Sequence, residues 1–295
     1  HLSKQVNHSP TMTYRDPSVR FISNAFTEDL QKVEESLSLG KREYARYNLM
    51  NITAYCIECH TRTPSGPSFS SPELENALKK IERLERGEYL LAVRQFDRAL
   101  DEFKGLIKEK LAEKNDFLSV DRAVRHALAV TVKFKGNPKA AMTIVEMIEK
   151  HPNSPYYLKQ NAFGWRVGIQ EWMKEKPLTK KATTKDKLEK ISDLVKRGDR
   201  GGLGMFDKGG DIYFLRALSG LHLLLAVDLS KEQLGEALYL TGLSYEAVKD
   251  LSLWTLHENY YESCIRSFPN STWSKKCYHR LEESIYFGFT GSSGT

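Results

Sequence analysis

The sequence has few of the features that mark several large classes of protein. Four cysteines in 295 residues are too few for a disulfide scaffold, and a chain of this length can bury a core without one. No apolar run approaches the roughly 20 residues that cross a bilayer, so we expect no transmembrane segment. The net charge of +6 is a mild excess without a concentrated basic stripe, and we expect no nucleic-acid partner.

Sequence signals typical of enzymes are also missing. We find no spaced pair of catalytic carboxylates, no nucleophile with a base and no phosphate-binding loop. The glycine cluster GLGMFD has Asp207 where a dinucleotide-binding loop needs its third glycine, and no strand precedes it. We therefore expect a carrier, sensor or binding protein rather than an enzyme that converts a substrate.

The hydrophobic pattern predicts an all-α fold. Apolar residues recur at helical spacing almost throughout, and no segment alternates in the way a half-buried strand does. We expect the first helix to begin at Thr27, whose hydroxyl can cap it, and to end at Gly40. A second helix is expected from Lys41, with Cys56 on its apolar face.

Several stretches resemble tetratricopeptide repeats, which are helix-turn-helix units of about 34 residues with small residues where paired helices touch. Two lie in the middle of the chain, GEYLLAVRQFDRALDEFKGLI and HALAVTVKFKGNPKAAMTIVEMIEKHPNSP, and two lie near its end, EALYLTGLSYEAVKD and HENYYESCIRSFPNSTWSKKCYHRLEESIYFGF. The resemblance implies an α-solenoid of helical hairpins whose concave surface binds a protein partner.

The segment CIECH, with cysteines at 56 and 59 and a histidine at 60, is compatible with three chemistries. A zinc site needs four protein donors, and the chain has neither a second C-x-x-C nor a paired histidine motif to complete one. A thioredoxin-like dithiol expects a preceding strand, which the pattern does not show. Covalent haem attachment uses the same residues directly: each thiol adds to one porphyrin vinyl group, and the adjacent histidine lies beneath the iron.

CIECH resembles the haem-binding motif of c-type cytochromes. The resemblance implies one covalently attached haem c, with Cys56 and Cys59 as thioether anchors and His60 as the proximal iron ligand. It also implies electron transfer or haem-based redox sensing, a redox partner, and export to a periplasmic or similar compartment. An open sixth iron position would add peroxidase activity.

The second axial ligand is expected from the N-terminal segment NHSPTMTY, which contains His8 and Met12. Methionine in that position raises the reduction potential, and a second histidine lowers it. The chain begins at His1 rather than at methionine, so we expect a processed product from which a signal peptide has been removed.

Composition suggests four regions. The stretch TRTPSGPSFSSP breaks a helix, and the lysine-rich stretch that ends in the glycine cluster is typical of a solvated helix between flexible joints. The predicted regions are a helical haem module at 1–70, helical hairpins at 71–178, a basic, glycine-rich linker at 179–210, and further helical hairpins at 211–295.

Cys264 and Cys277 lie nearly symmetrically about the turn IRSFPNSTWSKK. Antiparallel helices on the two sides of this turn could bring the two cysteines together as a disulfide, which would persist only in an oxidising compartment. Two buried reduced thiols are the alternative.

A second hypothesis comes from a different functional class. In it the helical repeats form an assembly scaffold, and CIECH is a structural or zinc site.

Overall fold

The computed structural model describes residues 16–62, 66–179, 181–201, 208–249 and 253–290. Every regular element in these ranges is a helix, which confirms the all-α prediction. None of the helices described there has both the length and the hydropathy of a membrane span. In chain order the helices are α1 (Pro17–Ser38), α2 (Arg42–His60), α3 (Pro72–Leu78), α4 (Arg83–Ala92), α5 (Phe96–Glu113), α6 (Phe117–Leu128), a π-helix (Ala129–Phe134), α7 (Pro138–Lys150), α8 (Tyr156–Lys174), α9 (Thr184–Gly201), α10 (Asp211–Leu225), α11 (Lys231–Ala247), α12 (Leu256–Ser267) and α13 (Thr272–Thr290).

Helix α1 begins at Pro17 rather than at Thr27, so the predicted start of the first helix is wrong. The Asp16 side chain caps it by accepting a hydrogen bond from the Ser18 backbone N–H at 3.0 Å, and proline occupies the first turn. Thr27 lies inside the helix, where its hydroxyl donates to the carbonyl of Ser23 at 2.9 Å. The missed signal is the dipeptide Asp-Pro, a cap followed by a residue suited to the first turn.

Helices α1 and α2 form an antiparallel hairpin with a small apolar core made of Val33, Ala45 and Ile52. On one side α1 contacts α12, and on the other side α2 contacts α4. The hairpin therefore lies against both the middle and the last part of the chain.

The remaining helices surround two larger cores. One runs from Leu78 to Leu215, and the other combines Ile22 with residues from Leu188 to Cys277. Consecutive helices pack against one another through most of both regions, as expected of stacked helical hairpins. That these hairpins are tetratricopeptide repeats stays a prediction.

Residues 184–201 lie within the predicted basic linker at 179–210, where the sequence predicts a solvated helix between flexible joints. They form α9, which packs along α10 and α11. Its lysines occupy the outer face, while Leu188, Ile191, Leu194 and Val195 recur at helical spacing and are buried in the second core.

Two helical glycines give a matched prediction about packing. A Cβ at Gly242 would overlap the ring of Tyr261, which is fully buried, so we expect Gly242→Ala to destabilise the protein by about 1–3 kcal/mol. A Cβ at Gly105 would meet only the end of the Arg83 side chain, which is 40% exposed and can swing away. We expect Gly105→Ala to be neutral or to stabilise by up to about 1 kcal/mol. Urea unfolding of both variants measures the difference, and an equal effect would contradict the packing argument.

Candidate functional site

The CIECH segment forms the last turn of α2. Cys56 and Cys59 are both partly buried, and both are free thiols. Burial raises the pKa of each thiol, and for Cys56 the neighbouring Cys59 acts in the same direction. Cys59 packs at the edge of the second core. The two sulfurs therefore lie on one turn of helix as protonated thiols that are not bonded to each other.

His60 is held in place by the C-terminal end of α4 and by the segment that precedes α3. Its Nδ1 is hydrogen-bonded to the carbonyl oxygen of Ala92, so this nitrogen carries a hydrogen, and in the neutral ring Nε2 is the nitrogen with the lone pair. No hydrogen bond to Nε2 occurs within the described ranges. The His60 ring also stacks on Phe69, with centroids 6.1 Å apart, and Arg94 donates to the His60 carbonyl. A histidine that binds a metal typically commits its other nitrogen to a carbonyl in this way.

Glu58, the central residue of CIECH, belongs to a group of polar side chains that the sequence did not reveal. We call this group the buried polar cluster. Seven of its residues are less than a tenth exposed, and the Asp16 side chain is 13% exposed. Its members are Asp16, Ser18, Glu58, Arg62, Lys133, His222, Tyr245 and Tyr260.

One half of the cluster is centred on Glu58. The Tyr245 hydroxyl donates to Oε1 of Glu58, and Nζ of Lys133 lies 3.3 Å from the same oxygen. Lys133 comes from the π-helix, an element that is rare in proteins and frequent at functional sites. Burial opposes ionisation of Glu58, but Lys133 and Arg62 outweigh it and lower the pKa of this carboxyl.

The other half is centred on Asp16. Its Oδ2 lies 2.7 Å from Nη1 of Arg62 and accepts from the Tyr260 hydroxyl at 3.2 Å. The Ser18 and Tyr260 hydroxyls are also hydrogen-bonded, at 2.7 Å. Burial opposes ionisation of Asp16, but the Arg62 guanidinium and the hydrogen bond from the Ser18 hydroxyl favour it, and the pKa of this carboxyl lies well below the usual range. Nη2 of Arg62 is buried and has no acceptor in the described part of the chain.

His222 joins the two halves. Its Nε2 lies 2.7 Å from the Tyr245 oxygen, and its Nδ1 lies 3.4 Å from Oδ2 of Asp16 without a hydrogen bond. Because the Tyr245 hydrogen goes to Glu58, the imidazole donates from Nε2, and in the neutral ring Nδ1 carries no hydrogen. Burial lowers the pKa of His222 to about 4; Lys133 acts in the same direction and Asp16 against it.

No family model matches this chain, and neither does any curated protein or solved structure. The function therefore has to be inferred from the chain's own side chains. Those around CIECH fit a covalently held haem: two free thiols share one turn, and the adjacent imidazole has one nitrogen committed to a carbonyl and the other available.

A zinc site finds less support. The described ranges contain no group of three or more histidine, cysteine, aspartate or glutamate side chains placed to hold a metal ion, so further zinc ligands would have to come from outside them. The predicted distal iron ligands, His8 and Met12, also lie outside the described residues. Their segment joins the described structure at Asp16, which is paired with Arg62 just beyond His60.

Two cavities border Glu58. A small one of about 30 Å³ also touches Lys133 and Tyr245, and it has room for one or two waters. A cleft of about 670 Å³ lies on the outer side, where Glu88 bonds Nε2 of His126 at 2.9 Å. The small cavity gives the cluster space for bound water.

Cys264 on α12 and Cys277 on α13 form a disulfide, with Cα atoms 6.4 Å apart. Both residues are fully buried in the second core. The bond closes a short loop, for which the loss of chain entropy in the unfolded state gives about 3 kcal/mol of stabilisation. We expect reduction, or the double variant C264S/C277S, to lower the free energy of unfolding by about that amount. Urea unfolding with and without a reductant measures it, and a reductant that leaves the midpoint unchanged would contradict the pairing.

Proposed function

We propose that this chain is an exported mono-haem c-type cytochrome that acts in electron transfer or haem-based redox sensing. Cys56 and Cys59 would hold one haem c through thioether bonds, and Nε2 of His60 would be the proximal iron ligand. The observation that carries the proposal is the hydrogen bond between Nδ1 of His60 and the Ala92 carbonyl, which leaves Nε2 free for a metal. The helical array would bind a protein partner.

The surrounding residues have defined roles under this proposal. A bound haem would supply a one-electron centre whose potential depends on axial ligation and burial. Ala92 and Phe69 fix the orientation of the His60 ring. Arg62 has an unsatisfied buried N–H, which could hold a carboxylate of the bound group. Its charge also opposes the rise that burial causes in the pKa of the Cys59 thiol. Met12 or His8 would be the distal ligand, and an open position would permit peroxidase activity.

Export is supported by the second cysteine pair. A disulfide between Cys264 and Cys277 persists in the periplasm or a similar oxidising space, which is where haem of this type is attached in the proteins that the CIECH segment resembles.

The test is the absorption spectrum and intact mass of protein made in a host that attaches haem covalently. We expect a Soret band, a pyridine haemochrome spectrum of the thioether type, and a mass equal to that of the polypeptide plus one haem. A colourless product with only the polypeptide mass would overturn the proposal. If it carried zinc instead, the helical scaffold with a zinc site would be the better interpretation.

A further inference from the structure

The α1–α2 hairpin has little apolar core of its own. Only Val33, Ala45 and Ile52 form its buried cluster, compared with the two large cores of the remaining helices. Its apolar contacts with those cores are also few. They come from Ile22, which is buried, and from Phe21, Tyr55, Ile57 and Cys59, which are partly buried.

The hairpin also buries polar side chains against the other helices. The buried polar cluster lies across this boundary: four members belong to the hairpin segment and four to the helices on the other side. The contacts that cross it pair Glu58 with Lys133 at 3.3 Å, Glu58 with Tyr245, Asp16 with Tyr260 at 3.2 Å, Ser18 with Tyr260 at 2.7 Å, and Asp16 with His222 at 3.4 Å.

A boundary of this kind responds to charge more than an apolar one does. Buried ion pairs roughly balance their own desolvation when every charge is matched, but an added or missing charge is left uncompensated in a medium of low dielectric. The cluster contains two carboxylates, Asp16 and Glu58, and two basic side chains, Arg62 and Lys133, so its charges balance while Lys133 is protonated and His222 is neutral. Burial lowers the pKa of Lys133, and the Glu58 carboxylate acts against that shift.

We propose that the buried polar cluster is an acid-sensitive latch, which holds the α1–α2 hairpin against the other helices at neutral pH and releases it when His222 takes up a proton. The latch goes beyond the proposed function and makes no use of haem.

His222 is faced by charged and titratable groups from every element packed around it. These are Asp16 ahead of α1, Glu58 and Arg62 at the end of α2, Lys133 in the π-helix, Tyr245 on α11 and Tyr260 on α12. An imidazolium in this site would be a third cation beside two carboxylates, and it would lack water.

The direction of the pH dependence follows from the two forms of the protein. In the docked form, burial lowers the pKa of His222 to about 4. In the released form Asp16 leaves, the imidazole reaches water, and its pKa returns to the ordinary value of 6.5. Between these values only the released form binds the proton, so falling pH favours release. From His222 alone, the ratio of released to docked protein should rise roughly 70-fold between pH 7.5 and pH 4.5.

Hydrogen exchange with mass spectrometry on the full-length matured protein tests this inference, with labelling times scaled for the effect of pH on the intrinsic rate. At pH 4.5 we expect peptides from 17–60 to lose protection relative to pH 7.5, while those from 211–249 keep theirs. Protection that persists at 17–60, or that is lost in both ranges together, would overturn the latch.

A pair of variants assigns the response to His222. His222→Gln keeps an N–H for Tyr245 and cannot titrate, so we expect its hairpin to stay protected at pH 4.5. His279→Gln makes the same change at a side chain that is 77% exposed on α13, and we expect it to respond as the unaltered protein does. Equal release in both variants would overturn the role of His222. If His222→Gln does not fold, hydrogen exchange of the unaltered protein at pH 4.5 and pH 7.5 still shows whether the hairpin is released. NMR titration of the His222 ring then shows whether this side chain binds the proton.

The haem content of the same sample is measured separately. A colourless chain whose hairpin is released in acid would contradict the proposed function and support the latch. A haem-bearing chain whose hairpin stays protected in acid would support the proposed function and contradict the latch.

Discussion

Replacing Cys56 and Cys59 together with alanine is expected to abolish covalently bound haem. The two thiols lie on one turn of α2 and are uncommitted, so they are the groups that can form both thioether bonds. Each single variant should retain at most one bond, which shifts the pyridine haemochrome band toward that of a singly linked haem. Intact mass under denaturing conditions measures attachment, because only covalently held haem survives it.

The matched control uses the other cysteine pair. C264S/C277S removes two sulfurs that are bonded to each other in a separate core, so we expect full haem content together with lower stability. Haem that is lost equally in both double variants would show that attachment fails through misfolding rather than through missing thiols. Covalent haem in C56A/C59A would contradict the assignment of the anchors.

His60→Ala separates the anchors from the iron ligand. Both thiols remain, so we expect attachment to continue while the spectrum loses the signature of histidine ligation. Added imidazole should restore part of that signature if Nε2 of His60 is the proximal ligand. An unchanged spectrum would contradict that role.

The helical class could be predicted from sequence because it depends on local spacing. Apolar residues at a period of 3.6 fix an amphipathic helix wherever it packs, and this holds even for α9. There the lysines that suggested a linker occupy the exposed face, while Leu188 and Ile191 lie buried beneath them. The lysine-rich composition therefore predicted a solvated helix, whereas the periodicity of its apolar residues shows a face that packs on the core.

The two cysteine pairs show which features of the candidate site residue spacing alone could predict. Spacing about a turn was enough to predict that Cys264 and Cys277 could meet across antiparallel helices, but it left two reduced thiols as the alternative to the disulfide that the structure contains. Spacing was also enough to single out Cys56, Cys59 and His60. It could not supply the carbonyl of Ala92, which comes from another helix and fixes the His60 ring.

The buried polar cluster could not be predicted, because its residues come from six separate places in the chain. Glu58 lies in the last turn of α2 and Arg62 lies just beyond its end, and an isolated sequence gives no reason to bury either charge. One signal was present: Lys133 interrupts the apolar run AVTVKF, where a charged residue needs a buried partner. Naming that partner required the tertiary structure.

Lys133→Met is expected to lower the free energy of unfolding by about 3–5 kcal/mol. Methionine keeps most of the aliphatic length, so the main change is electrostatic. Glu58 loses a cation 3.3 Å away in a site where their side chains are only 5% and 6% exposed. Tyr245 still donates to Glu58, and Arg62 remains nearby, which places the expected loss toward the lower end of the range. Urea unfolding at pH 7.5 measures it.

An exposed pair of the same two residue types provides the control. Lys150 and Glu146 are 2.6 Å apart, closer than the buried pair, but their side chains are 75% and 46% exposed. We expect Lys150→Met to cost no more than about 1 kcal/mol. Burial rather than distance should therefore set the cost, and a buried variant no more destabilised than the exposed one would contradict this.

The double variant Glu58→Leu with Lys133→Met tests whether charge balance is what matters. Removing Lys133 alone leaves two carboxylates against one cation, whereas removing both partners leaves Asp16 paired with Arg62 at 2.7 Å. We therefore expect the double variant to lose less stability than the sum of the two single variants, by about 1–3 kcal/mol. If the losses simply add, the two side chains act independently. A cluster without coupling could not convert one proton on His222 into release of the hairpin.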